Sequence, residues 1–122
     1  MKLQRSSKHV HTPFGPYSIA IEKNGVLHVS GQGPFDKEKR LNGDEIIQQA
    51  KQTMDNLRHI IVDNGYQMDE IVKVTVYLQN ISDWSAFNEV YATYFSDPMP
   101  ARTVVACQLN GMLVEVDCVA MH

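Results

Sequence analysis

The chain is 122 residues long, 43% hydrophobic and 20% charged, with a formal net charge of −3 at neutral pH. These proportions exclude a disordered chain, and no apolar run approaches the roughly 20 residues a membrane helix needs, so one globular domain over residues 1–122 is expected. The acidic balance excludes a broad basic surface for sequence-independent nucleic-acid binding and leaves only a local patch open.

Met1 to Ser6 holds no apolar stretch of the signal-peptide type, so a cytoplasmic location is the expectation. Residues 1–15 read as an extended N-terminal arm ending in Pro13-Phe14-Gly15-Pro16, where two prolines and a glycine forbid helix. Tyr17 to Lys23 and Val26 to Gln32 flank Asn24-Gly25, a hairpin signal, because a tight two-residue turn needs positive φ. With Lys23 opposite Val26, the strands place Tyr17, Ile19, Ile21, His28 and Ser30 on one face, and Tyr17 and Ser30 become diagonal neighbours.

Gly31 to Arg40 reads as a loop. From about Asp44 to Asn64, Ile47, Ala50, Met54, Leu57 and Ile61 recur at spacings of three and four, an apolar helical stripe, and Gly65 is a natural left-handed cap. Ile71 to Gln79 alternates as a strand with Val72, Val74, Val76 and Leu78 inward. Ser82 or Asp83 can cap the next helix, in which Phe87, Val90, Tyr91, Tyr94 and Phe95 form the buried stripe.

A second hairpin is predicted over Met99 to Val119, about Asn110-Gly111. Its register would put Thr103, Val105 and Cys107 with Val114, Val116 and Cys118 on a core face, and Arg102, Val104 and Ala106 with Leu113, Glu115 and Asp117 on the other. Cys107 then faces Val114, so no disulfide with Cys118 is expected, and a core-facing Cys107 makes a poor nucleophile. The order is ββαβαββ, an α+β fold with a mixed sheet and two crossover helices on one face. Ile19, Ile21, Val104, Ala106, Leu113 and Val119 are left on the uncovered face, enough aliphatic surface to predict packing against other subunits in a closed oligomer.

Arg102 is the leading candidate for chemistry. It opens a strand after the rigid Pro100-Ala101, and a fixed planar guanidinium suits a carboxylate ligand; the plainer reading is a salt bridge to Asp117 or Glu115. Glu115, between Val114 and Val116, could order a water or move a proton, or pair with a cation. In the predicted hairpin the two residues stand roughly 13 Å apart, so a bulge, a bridging ligand or a subunit boundary must reconcile them. Tyr17, Ser30 and the unshielded Gly31 backbone could donate hydrogen bonds, and Asn88 sits beside the helix stripe. His9, His11, His28, His59 and His122 show no metal-ligand spacing with the cysteines and no helical pair at i, i+4, so they read as surface or interface residues and no metal is expected.

Gly15-Pro16-Tyr17-Ser18, Ser30-Gly31-Gln32, Asn88-Glu89-Val90-Tyr91, Pro100-Ala101-Arg102 and Val114-Glu115-Val116, in this order, resemble the RidA/YjgF family of enamine/imine deaminases over roughly residues 11 to 120. The resemblance implies a chorismate-mutase-like fold and a homotrimer with clefts between subunits. It implies that Arg102 binds a substrate carboxylate, that Glu115 positions the attacking water, and that Tyr17, Ser30, Gly31, Asn88 and the Val104 backbone line the cleft. The implied reaction is metal-free and cofactor-free hydrolysis of 2-aminoacrylate/2-iminopropanoate and 2-iminobutanoate to 2-keto acids and ammonia. Ile19 stands where the family commonly has Gln, Val104 where many members have Cys, and the Asn110-Gly111 turn is shorter than usual, which leaves Asp117 as a competitor to Glu115. A keto-acid or amino-acid binding regulator and a ribonuclease or translation inhibitor are the alternative functions.

Overall fold

In the computed structural model, which describes residues 1–122, the N-terminal arm contributes an edge strand, β1 (Leu3–Arg5). It pairs antiparallel with β2 (Ala20–Lys23), which turns at Asn24-Gly25 into β3 (Val26–Gln32). Lys23 pairs with Val26, as the turn signal predicts, and Asn24 and Gly25 carry φ of 53° and 76°.

The helix α1 (Ile46–Asp63) buries Ala50, Met54, Leu57 and Ile61 against the sheet, while Ile47 at its first turn stays 40% exposed. Gly65, at φ 85°, ends it: its N–H donates to the Val62 carbonyl and that of Tyr66 to the Ile61 carbonyl, the two bonds of a Schellman cap. β4 (Ile71–Leu78) follows. A register shift between Ile71 and Lys73 bulges the strand, so Ile71 is buried in place of the expected Val72, which is 43% exposed. α2 (Trp84–Ala92) buries Phe87, Val90 and Tyr91; it stops before Tyr94 and Phe95, which pack on the core from the following turn.

The final two strands, β5 (Ala101–Ala106) and β6 (Val114–Met121), do not form the predicted hairpin. β4 lies between them, parallel to β5 and antiparallel to β6, and the sheet order is β1-β2-β3-β6-β4-β5. Asn110-Gly111 belongs to a loop that crosses over the end of β4. Gln79 ties that loop down: its side-chain oxygen accepts the Leu109 N–H at 2.6 Å and its N–H donates to Leu113 at 3.0 Å. The reason is burial. Val74, Val76 and Leu78 are fully buried, and a central β4 satisfies both of its backbone edges, whereas a β5–β6 hairpin would leave one edge of this apolar strand unpaired.

β6 keeps its predicted phase, with Val114, Val116, Cys118 and Ala120 in the core. β5 has the opposite phase. Arg102 pairs with Val74 and Val104 with Val76, so both lie on the helix side, and Thr103 and Val105 face outward. Ile19 is also buried, at 2% exposure, and does not contribute to an open apolar face. Both helices cover one side; the other side carries Ile21, Lys73, Thr75, Tyr77, Val105, Glu115 and Asp117.

Candidate functional site

Arg102 enters β5 directly after Pro100 and lies over α2. Its guanidinium carbon sits 4.7 Å from the centre of the Tyr91 ring and 5.2 Å from that of Trp84, a cation–π clamp that holds the planar group without consuming its five donors. It forms no ion pair with Asp117 or Glu115, so the structural salt bridge is not what occupies it. A depression of about 300 Å³ opens beside it, walled by Asn88, Tyr91, Met99 and Pro100. Asn88 Oδ1 and the Tyr91 hydroxyl are buried there with no hydrogen-bond partner. Burial pushes the Tyr91 hydroxyl up to about 12, against the opposing pull of Arg102, so it remains a proton donor.

Glu115, on β6, lies on the other side of the sheet, paired with Tyr77 of β4. Its carboxylate makes no hydrogen bond or ion pair within the chain, and burial, followed by the charge of Asp117, holds its pKa above the ordinary value of 4.5. A Cβ built on Gly31 would collide with this carboxylate, so glycine lets β3 approach it while Glu115 keeps its present position. Glu115, Gly31 and Tyr17 line a cavity of about 380 Å³ together with His11, Phe14, Phe35 and Met112.

Asp117 stands one row away and accepts a hydrogen bond from Tyr77 Oη at 3.2 Å, so it does not line this cavity. Ser30 donates its hydroxyl proton to the Ser18 carbonyl at 2.6 Å, holding the strand that carries Gly31. Tyr17 Oη accepts the Phe14 N–H at 3.1 Å. Val104 packs its side chain on the core.

The predicted residues are therefore divided. Tyr17, Gly31 and Glu115 meet at one cavity and Asn88 and Arg102 at another, with the sheet between them. The expected common face for Arg102 and Glu115 is not present, because β5 is inverted relative to a hairpin partner of β6. Sequence reasoning missed Trp84 and Tyr91 as the arginine clamp, and Phe14, Phe35, Met112 and His11 as the wall near Glu115. His11 is 5% exposed, edge-on to Phe14 and Phe35, and not a surface residue. The Pro-rich approach to Tyr17 was the one available signal for that wall.

A mixed sheet with two helices on one side, an arginine clamped by two aromatic rings without an ion pair, and a desolvated carboxylate without a partner define a small α+β protein. The chain matches the endoribonuclease L-PSP family over residues 8–122 and belongs to that family, which is the RidA/YjgF/RutC (Rid) family. It is 34% identical over 112 residues to the mouse protein named 2-iminobutanoate/2-iminopropanoate deaminase, covering 89% of this chain and 83% of the mouse protein. A RutC family protein of Pyrococcus horikoshii is 37% identical and covers 88% of both chains. The crystal structure of a conserved Rid-family protein of unknown function from Yersinia pestis superposes with a TM-score of 0.94 at 34% identity, covering 100% of both chains. Relatives in fission yeast include a protein named mmf1, mitochondrial, at 36% identity, covering 88% of this chain and 69% of that protein.

Proposed function

We propose that this protein hydrolyses small reactive 2-imino acids, 2-aminoacrylate/2-iminopropanoate and 2-iminobutanoate, to 2-keto acids and ammonia. The observation that carries the reading is the pair of unsatisfied opposite charges: a donor-rich Arg102 on one side of the sheet and a desolvated Glu115 on the other. A group that is buried and unpaired costs stability, and such costs concentrate where a ligand will occupy the group. Family membership and the name of the mouse relative support the choice of substrate.

The sheet separates the two groups, so one copy's Arg102 serves the Glu115 cavity of its neighbour in a homotrimer. Arg102 would take the substrate carboxylate bidentately, and the Tyr91 hydroxyl would donate to the same end. Glu115 would hold a water against the imine carbon. The water oxygen bonds to C2 while one water proton passes through Glu115 to nitrogen, giving the carbinolamine; the same carboxylate then carries the hydroxyl proton to nitrogen, and the C2–N bond breaks as the carbonyl forms, leaving the keto acid and ammonia. An imine is already electrophilic, so positioning and one proton relay suffice.

Intersubunit complementation tests this. 2-Aminoacrylate is generated with a serine dehydratase and keto-acid release is followed. Arg102→Ala and Glu115→Gln should each be inactive alone, and mixed trimers of the two should regain about one quarter of the sites, since each native site needs Arg102 from one copy and Glu115 from the next. No acceleration by the native protein refutes the activity, and no recovery in mixed trimers refutes the shared site.

The ribonuclease reading carried by the family name is disfavoured by the net charge of −3. RNA binding with a steep salt dependence would revive it.

A further inference from the structure

The N-terminal segment meets α1 at a side-chain cluster that the proposed imine chemistry does not use. His59 and Asp63 stand four residues apart at the end of α1 and project from one side of it, and His9 arrives on them from the N-terminal segment. One donor atom from each of His9, His59 and Asp63 lies within 4.8 Å of the other two. The linear spacing conceals the trio, because 54 positions separate His9 from Asp63, and the partner of His59 on the helix is a carboxylate rather than a second histidine.

The cluster is held in place. Ser7 donates its hydroxyl proton to Asp63 Oδ2 at 2.5 Å, and His9 Nδ1 meets the same oxygen at 2.7 Å. Asn64 Nδ2 donates to the Ser6 carbonyl at 3.0 Å, and Ser7 and Val10, on either side of His9, are buried. The His9 and His59 rings stack with centroids 4.5 Å apart and 19° between their planes. Both rings therefore sit beside one oriented carboxylate before any ligand arrives.

We propose that His9, His59 and Asp63 bind one divalent ion of the zinc class, which clips the N-terminal segment to the end of α1. Two imidazoles and a carboxylate suit zinc, cobalt, nickel or copper, whereas magnesium and calcium take oxygen shells. Bond lengths of about 2.0–2.2 Å set tetrahedral donors roughly 3.3 Å apart, so loading opens the two rings from their stack and lengthens the 2.7 Å contact between His9 Nδ1 and Asp63 Oδ2. The ion takes the place of the proton between His9 Nδ1 and Asp63 Oδ2, and that proton leaves to solvent. Ser7 supports the ligating carboxylate from behind, and water completes the shell. The same segment brings His11 and Phe14 to the Glu115 cavity, so the ion stiffens one wall of that cavity without entering it.

The test uses untagged full-length protein, stripped with EDTA and titrated with zinc by calorimetry and with cobalt by absorption spectroscopy. One ion per chain, cobalt bands of a low-coordinate nitrogen–oxygen site, and a melting temperature that rises with zinc and falls back with EDTA are expected. His59→Gln and Asp63→Asn should each weaken zinc at least about tenfold, and Ser7→Ala should weaken it less. His122→Gln should leave binding unchanged, since its pair with Glu70 at 2.8 Å offers only two donors. Absence of one-per-chain binding, or binding indifferent to His59→Gln and Asp63→Asn, overturns the site. If those variants unfold, His9→Gln decides: its position lies outside every helix and strand, and retained zinc affinity there overturns the proposal. None of these readouts depends on deaminase activity.

Discussion

Arg102 and Glu115 occupy opposite faces of one sheet: Arg102 pairs with Val74 on the helix side, and Glu115 pairs with Tyr77 on the open side. No rotamer of either residue brings them together through β4. Each is instead available to a neighbour, and the aliphatic and polar residues that surround Glu115 on the open face are what a partner copy would cover.

That geometry makes the open face testable. Val105 is 40% exposed in the same row as Tyr77 and Glu115. The native protein should run as a trimer in light scattering, and Val105→Asp should yield monomers with native circular dichroism and no deaminase activity, because a charge buried in an interface without a partner costs several kcal/mol.

The Arg102 clamp separates charge from geometry. Arg102→Lys keeps the charge but loses the planar fork and the stacking on Tyr91 and Trp84. Loss of a bidentate charged pair worth about 3 kcal/mol predicts a fall of about a hundredfold in kcat/KM. Thermal stability should fall only by the lost cation–π contacts, about 1 kcal/mol, since Arg102 makes no ion pair.

Glu115 carries a pH signature. Its folded pKa is raised above 4.5 by burial, so it favours the folded state below that value, and the contribution is lost as pH rises through the folded pKa. Glu115→Gln should therefore raise the melting temperature at pH 7, flatten the stability profile above pH 4.5 and abolish turnover. A melting temperature lowered at pH 7 would contradict it.

Gly31→Ala would drive a methyl group into the Glu115 carboxylate. Because the displaced group is the end of a flexible, unpaired side chain, urea stability should change little, whereas most activity should be lost and ligand binding at Arg102 retained.

At acid pH a different carboxylate matters. Glu22 accepts hydrogen bonds from Tyr66 Oη at 2.7 Å and Arg5 Nε at 2.8 Å, and the Tyr66 bond is the main reason its pKa lies below 4.5. Stability from this group is present above 4.5 and lost as pH falls through the folded value. Tyr66→Phe should shift the acid-unfolding midpoint upward, as read by fluorescence across the titration.

Much of the chain is legible from local pattern. The Asn24-Gly25 turn, the α1 stripe with its Gly65 cap, the inward phase of β6 and the motifs around Tyr17, Gly31, Asn88, Arg102 and Glu115 follow from backbone sterics and periodicity, which act between near neighbours. The family resemblance is likewise carried by those short motifs. Asn110-Gly111 shows the limit. It has the chemistry of a hairpin turn, and Gly111 does take φ of 76°, yet the flanking strands pair with β4.

Strand order is decided by which partner buries Val74, Val76 and Leu78 and satisfies both edges of β4, and those partners are distant in the chain. The same long-range choice inverts β5, sends Arg102 to α2 and its aromatic clamp, and leaves Glu115 alone beside Gly31. The convergence of His9 on His59 and Asp63 also depends on the path of the N-terminal segment. The sequence by itself determined the local elements and the short motifs that mark the family, because these depend on near neighbours; only tertiary packing decided which of those residues meet within one copy.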